Sequence, residues 1–468
     1  MKSRLPVFFL VFTLTLISAL NAQTVVTYPA PEGEKAEGAY SVTVNGQAVD
    51  VYSTKSQYWE GEYYFASFDF EGAVSVEIRS SFPMAGTQVL PAERFGLDVK
   101  TDAKSVKFTA EKPFRVSVEP NGRVKPLLLF GNALEKDAPK ADDPNVIYFG
   151  PGVHKVGKLE VKDGQTVYIA GGAVVKGGID ATGKNITICG RGILCGADYP
   201  RFKGPNGYPI RAVNCENLVI RDITIRASWS WTCTTWNCRG VLIDGLKICC
   251  SNMINDDALD LVNTQDVVVR NCFFRSQDDS IAVKGCLADH RPCENIEIED
   301  CQFWTDVANI YRIGYECTAD VMRNIHSRRI DVLHYSKDFR PCEHYWANTI
   351  FWLQPNQDMT IENCTFEDFV VYSDGSNGLM LVAKPQRCTY GSVQNPNPGR
   401  LKNCSFKDLR VVGTKGDFEG LIYLRGDAPQ WDVDGIRMEN VTYFGEPVTQ
   451  NSPCVRVDGE FVKNFEIK

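Results

Sequence analysis

Hydrophobic and polar positions follow different rhythms in different parts of the chain. Between residues 23 and 132, apolar and polar residues alternate in short runs closed by turn residues. Tyr40-Ser41-Val42-Thr43-Val44 runs into Asn45-Gly46, Val74-Ser75-Val76-Glu77-Ile78 follows Glu71-Gly72, and Phe114-Arg115-Val116-Ser117-Val118 leads to Asn121-Gly122. A period of two with Asn-Gly turns predicts antiparallel hairpins, so this part reads as a β-sandwich domain. Residues 133–145 hold three Asp and two Pro and read as a linker. From residue 146 onward, glycine breaks the strands every few residues and no helical stretch intervenes.

An eight-residue unit then recurs. Leu218 to Ile225 is echoed by Val241 to Ile248, Val267 to Phe274 and Ile296 to Phe303, then by Met359 to Phe366 and Leu401 to Phe406. One such unit cannot bury its apolar side alone, so copies must stack. Residues 146–468 are therefore expected to form an all-β parallel β-helix. Asn271, Asp300, Asn363 and Asn403 each precede a cysteine, and Phe stands two residues after that cysteine. They read as bend residues whose side chains bond to nearby backbone. The pattern becomes irregular between Asp306 and Asp358, where coils with long excursions over a groove are expected. That stretch holds Arg312, Arg323, Arg328, Arg329, Lys337, Arg340, His326, His334, His344, Trp346 and Trp352.

Composition narrows the function classes. The 468 residues carry a formal net charge of -8, which gives no support to nucleic-acid binding. Residues 1–22 have the form of a secretory signal peptide: Lys2 and Arg4, an apolar run from Leu5 to Leu20, and Ala22 before the cut. No later apolar stretch is long enough to span a bilayer. Export to the periplasm or beyond is expected. Seventeen cysteines would suit a disulfide framework, but none precedes Cys189 and several share one slot of the repeat. They read as small buried hydrophobes, with bridges left open at Cys249-Cys250 and between Cys286 and Cys293.

Two acidic clusters interrupt the repeat, Asn255-Asp256-Asp257-Ala258-Leu259-Asp260 and Gln277-Asp278-Asp279-Ser280. Asp257 and Asp278 are 21 residues apart, close to one coil, so stacking brings the clusters together. Crowded carboxylates do not all ionise; one keeps its proton and becomes a general acid, while another can activate water. That is the equipment of an inverting glycosidase. Ca²⁺ binding and lyase chemistry, with Lys284 or an arginine as base, stay open, as does a glycan-binding protein without catalysis. No histidine lies near the acids to suggest zinc, and there is no phosphate-binding loop, dinucleotide fingerprint or nucleophile elbow, so no cofactor is expected. Aromatic side chains suited to sugar stacking are Trp229, Trp231, Trp304, Tyr311, Trp346 and Trp352, with Trp236 beside the first two. In the N-terminal domain, Tyr58, Trp59, Tyr63 and Tyr64 offer further faces, although scaffolding or flanking the groove is the favoured role.

The two clusters resemble the first two signatures of glycoside hydrolase family 28, the polygalacturonases: Asn-Thr-Asp-Gly-x-Asp, then Asp-Asp. Asp256 replaces the Thr, Ala258 the Gly and Ser280 a Cys. The resemblance implies a right-handed parallel β-helix and inversion, with Asp278 as proton donor, Asp257 and Asp279 activating water, and Asn255 and Asp260 in support. Two family elements are missing. Asn309 stands where a histidine belongs, and only Arg329-Ile330-Asp331 is a fragment of the uronate-gripping Arg-Ile-Lys motif. The layout is similar to family 49, the dextranase and isopullulanase group, which keeps the three aspartates, lacks both motifs and carries an N-terminal β-sandwich. The substrate implied is a polysaccharide or oligosaccharide; Lys284 and Arg312 leave its charge open.

Overall fold

The computed structural model describes residues 23–59, 61–335, 348–376, 378–388 and 395–468. The proposed signal segment, Lys337, Arg340, His344 and Trp346 lie outside them. Apart from one 3-10 turn at Glu93–Phe95, every regular element among the described residues is a strand.

The N-terminal strands form a six-stranded and a five-stranded sheet. Tyr40–Val44 and Val74–Ser80 pair antiparallel with alternating burial, as the period of two requires. Glu62–Glu71 behaves differently, being buried along almost its whole length. A strand buried on both faces loses alternation, and its second face has a partner. Tyr52, Tyr63, Phe65, Leu128 and Phe130 pack against Val174, Cys249, Phe273 and Trp304 of the C-terminal part.

From Val146–Phe149 to Glu466–Ile467 the described residues form one sheet of 29 strands, in which successive coils pair in parallel up to the last turn. The register is the one the repeat implies: Leu218 pairs with Val241, Val241 with Val267, and Val267 with Ile296. These residues are at most 2% exposed and run up the interior as a ladder. Each buried Val, Leu or Ile contributes about 1.5–3 kcal/mol over an exposed one. Two residues along, Phe366 and Phe406 stack at 5.1 Å in the column of Ile298 and Ser327.

The bends are as read. Asn271, Asp300, Asn363 and Asn403 have φ between 51 and 56°, a left-handed conformation that Asn and Asp tolerate best among residues with a side chain. Their side-chain bonds go to side chains of neighbouring coils and not to backbone as expected: Asn271 Nδ2 donates to Asp244 Oδ1 at 2.9 Å, Asp300 Oδ1 accepts from Arg329 Nε at 2.7 Å, and at a further bend Asn295 Nδ2 donates to Asp266 Oδ1 at 2.8 Å. Cys272, Cys301, Cys364 and Cys404 fill interior positions. Cys249, Cys250 and Cys293 are free thiols, so neither bridge left open by the sequence forms. Cys249 and Cys250 are strand neighbours and face opposite ways.

The irregular stretch keeps its coil, as expected, while residues 336–347 within it lie outside the described residues. Val321–His334 is a full coil, with Ile325 paired to Ile296 on one side and Cys364 on the other. Its bend residue is Arg329, with φ 57°, and Ile330 fills the cysteine slot. The coil is intact; its tag has changed.

The coil has three faces. The third, made by strands such as Lys247–Cys249, Phe273–Ser276 and the end of Cys293–Thr305, lies under the N-terminal sheet. Its outward column of Cys195, Arg226, Cys249, Arg275, Trp304 and His334 is buried throughout. Charged groups cross this boundary in pairs: Arg191 with Asp69 at 2.8 Å, Arg94 with Asp331 at 3.2 Å and Arg123 with Asp374 at 2.7 Å. Tyr63 and Tyr64 are buried here, so they offer no face to a glycan.

Candidate active site

The first face carries the chemistry. Its strands include Cys233–Trp236, Leu259–Val262, Ile281–Lys284, Tyr311–Gly314 and Thr349–Gln354. Leu259, Leu261, Ile281 and Val283 point into the core. Alternation therefore turns Asp260, Lys284 and Arg312 outward onto the floor. The acids stand in the turns just before these strands. Because Leu259 pairs with Ile281 and Ile281 with Tyr311, Asp257 lies beside Asp279 and Asp279 beside Asn309. The amides of Ala258 and Ser280 confirm this register, donating to Asp279 O and Asn309 O at 2.8 Å each. Asp257 is thus the lateral neighbour of Asp279 and not of Asp278.

Asp257, Asp278 and Asp279 converge. One oxygen from each lies within 4.8 Å of the other two. Lys284 Nζ sits 3.0 Å from Asp257 Oδ2 and 2.9 Å from Asp260 Oδ1, and 3.7 Å from the centre of the Trp231 ring. Asn309 donates its Nδ2 to Asp279 Oδ1 at 2.7 Å and its backbone N–H to the same oxygen at 3.1 Å. Arg312 NH1 is 3.6 Å from Asp279 Oδ2. A hard cation could bridge three carboxylates at this spacing, but Lys284 and Asn309 already occupy one oxygen each of Asp257 and Asp279.

Four carboxyl groups, Asp257, Asp260, Asp278 and Asp279, surround two cations, so they cannot all ionise cheaply. Asp278 is half-buried, while the other three are buried. Burial, then the charges of Asp257 and Asp279, hold Asp278 well above the usual carboxylate range. Burial also raises Asp257, with Lys284 pulling the other way. For Lys284, burial acts downward, but Asp257, Asp260 and Asp279 outweigh it and keep its pKa well above the ordinary lysine value. A lysine held charged in this way is no proton-abstracting base, which removes it from the lyase reading.

The turn under Asp278 is pinned from several sides. Ser276 Oγ and Thr305 Oγ1 donate to Asp278 O at 2.8 and 2.7 Å. The Asp279 amide donates to Asp278 Oδ1 at 2.9 Å. Asp256 is fully buried beneath, and accepts the amides of Gln277 at 2.6 Å, Asp278 at 3.3 Å and Ser251 at 2.7 Å. The sequence marks Asp256 only as a flank, and nothing in it marks Ser251 or Asp306.

Beside the acids lies an open cleft of about 650 Å³ lined by Phe202, Asn206, Tyr208, Ser230, Trp231 and Asn255. Trp231 is half-buried there and nearly parallel to Tyr208 at 5.5 Å and Trp236 at 6.1 Å. Asn255 opens onto this cleft, its Oδ1 bonded to Arg201 and not to the acids. Tyr208 was missed because its loop has no repeat signature.

The other aromatic expectations fail. Trp229 is fully buried under the loop carrying Asn206 and Gly207, to whose carbonyls its Nε1 donates. Trp304 is fully buried on the third face, with Nε1 donating to Asp306 Oδ1 at 2.6 Å. Tyr311 faces the coil interior and bonds Ser327 at 2.6 Å. Trp352 is outward-facing but only 1% exposed, packed with Leu379, Val382 and Tyr423. None of the four presents a ring to a sugar. Arg329 is bonded to Asp300 and Glu299 at a bend away from the floor.

Residues 159–305, which include all three converging aspartates, match the sequence pattern of glycosyl hydrolases family 28. Over those residues the chain is similar to glycoside hydrolases, and its fold is a parallel β-helix shared with solved glycoside hydrolases. Among solved structures, Dex49A from Penicillium minioluteum superposes with a TM-score of 0.66 at 14% identity, over 95% of this chain and 96% of that one. The family 28 exopolygalacturonase of Yersinia enterocolitica gives 0.50 at 13% identity, over 95% and 96%. The polygalacturonase of Erwinia carotovora ssp. carotovora gives 0.51 at 14%, over 68% of this chain and 86% of that one. At these identities the superpositions speak for the fold. No curated protein sequence matches the chain. No helix among the described residues is long and apolar enough to cross a membrane.

Proposed function

We propose that this protein is a glycoside hydrolase that cleaves an O-glycosidic bond of a polysaccharide or oligosaccharide with inversion, Asp278 acting as general acid and Asp257 and Asp279 activating the attacking water. The observation that carries the reading is the inequality within the cluster. Asp257 is paired with the Lys284 ammonium and Asp279 with the Asn309 side chain, whereas Asp278, the half-buried member, accepts only the Asp279 amide and has its pKa pushed up by burial and by the charges of the other two. A protonated acid beside two stabilised carboxylates is what donation to a leaving oxygen and water activation require. Asp257 Oδ1 is buried and has no hydrogen-bond partner among the described residues. Trp231, flanked by Tyr208 and Trp236, lines the cleft where a sugar ring would lie. The charged and apolar start of the chain is taken as an export signal, so the enzyme would meet its glycan outside the cytoplasm.

One observation favours a second stereochemical reading. The oxygens within 4.8 Å are nearer the ~5–5.5 Å carboxyl spacing of retaining enzymes than the ~6.5–9.5 Å of inverting ones. Asp257 and Asp279 are each hydrogen-bonded at one oxygen, which suits a nucleophile as well as a base, so the product anomer separates the two readings. The test is a panel including dextran and polygalacturonate, followed by NMR of the first-formed anomer. Inverted configuration supports the proposal; retained configuration assigns one aspartate as nucleophile. An unsaturated uronate product would establish a lyase, and binding without turnover of any glycan would end the hydrolase reading.

A further inference from the structure

We propose that the N-terminal β-sandwich is a positioning part of the catalytic site, its Gln57–Trp59 segment holding the turn of Asp278 through Ser251, Asp256 and Asp306. The inference rests on the reading of Asp278 as general acid.

The contacts form a continuous path. The Gln57 amide donates to Ser251 O at 2.7 Å, and Trp59 Nε1 donates to Asp306 Oδ1 at 2.9 Å. Tyr63 adds a bond from its hydroxyl to Cys250 O. Ser251 is the junction: its amide donates to Asp256, its hydroxyl donates to Asp306 Oδ2, and its carbonyl accepts from the sandwich. It has φ +84°, a conformation that a residue with a side chain keeps only when its surroundings impose it. From there two residues with buried carboxylates hold the catalytic turn, Asp256 through its side chain and Asp306 through its backbone amide. Asp256 accepts the Gln277 and Asp278 amides. On the far side, the Asp306 and Val307 amides donate to Ser276 O at 3.0 Å and Gln277 O at 2.9 Å.

Asp306 is itself defined by the interface. It accepts Trp59 and Trp304 on one oxygen, and Ser251 and Arg275 on the other, and all but Trp59 belong to the coil. Arg275 is fully buried, its guanidinium 4.0 Å from the ring centre of Tyr63 in the sandwich and 3.9 Å from that of Trp304. A buried carboxylate with four donors is costly to leave short of one. Withdrawing Trp59 therefore loosens the side of the turn that carries the acid. Ordinary ladder bonds between coils would not make the turn depend on a second domain; the Ser251, Asp256 and Asp306 side chains do.

The test uses the full-length enzyme with Trp59→Phe, which keeps a ring and removes the N–H, and Ser251→Ala, which removes the hydroxyl alone. Hydrogen exchange without ligand should speed by about tenfold or more at residues 276–280 in both variants, and stay unchanged at residues 401–412. On the panel glycan that the wild type cleaves, kcat should fall about tenfold with KM unchanged. The basic limb of the pH–rate profile should move to lower pH as solvent reaches Asp278. Unchanged exchange at 276–280 overturns the inference. So does equal loosening at 401–412, which marks a merely structural contact, or a raised KM at constant kcat, which makes Trp59 a substrate contact. If the wild type cleaves no glycan, the hydrolase reading falls, and the exchange measurement alone decides whether the domain controls the turn.

Discussion

Asn309 ties Asp279 to the next coil, its side-chain Nδ2 donating to Asp279 Oδ1 at 2.7 Å while its own Oδ1 accepts the Thr349 amide at 3.0 Å. It stands where the family resemblance places a histidine. An amide does not titrate, so the support given to Asp279 is the same at every pH, whereas an imidazole would change charge near neutrality. Asn309→Ala removes a bond to a charged group, worth about 1.5–3 kcal/mol. The expected result is a fall in kcat of roughly 10- to 150-fold with little change in KM, read from initial rates of reducing-end release.

Replacing the proposed acid separates chemistry from binding. Asp278→Asn keeps shape and an acceptor for the Asp279 amide but cannot deliver the proton. Turnover should drop by about 10²–10⁴, while calorimetry with an oligosaccharide gives near-wild-type affinity. Full activity in this variant would remove Asp278 from the mechanism.

Lys284 gives a pH signature in stability. It is almost fully buried between Asp257 and Asp260, so Lys284→Met leaves two buried carboxylates without their cation, costing about 3–5 kcal/mol at neutral pH. Both carboxyls have folded pKa values raised above the unfolded ones. A raised carboxyl carries its full stability below the unfolded value, about 4, and loses it as pH rises through the folded one. Loss of the cation enlarges that penalty. The gap in unfolding midpoint between wild type and variant should be widest near pH 7 and close toward pH 4; a gap that widens on acidification contradicts the assignment.

Lys247 predicts the opposite trend at the alkaline end. Its ammonium lies under the sandwich and donates to Asp222 O at 3.0 Å and Gly245 O at 2.9 Å. Burial pushes its pKa down to about 8. Between about 8 and the unfolded value near 10.4 the unfolded chain binds the extra proton, so stability rises with pH in that window. The stability of wild type relative to Lys247→Met should improve by up to about 3 kcal/mol from pH 7 to pH 10, measured by denaturant unfolding at each pH. No change in the difference would mean the lysine is neither desolvated nor charged as described.

The sequence alone determined the coil and the acids. The spacing of Leu218, Val241, Val267 and Ile296 already is the strand register, because stacking forces the same apolar slot to recur in each turn. Asn271 and Asp300 were readable as bends, since a left-handed φ selects few residue types. The convergence of the acidic clusters followed from the same period. What lacked a local signature was legible only in space. The lateral partner of Asp257 depended on loop lengths that period counting blurs by one residue. The register of the coil around Ile325 was hidden because Arg329 and Ile330 replaced its tag. Trp229, Trp231 and Trp304 look alike in sequence, and burial sent one under a loop, one into the cleft and one beneath another domain. The bond from Trp59 to Asp306 joins residues 247 positions apart, and no periodicity connects them. Short-range pattern specifies which slot a residue occupies; only the packed structure decides which distant side chain reaches it, because such contacts are selected by shape and charge across an interface, and not by any repeat along the chain.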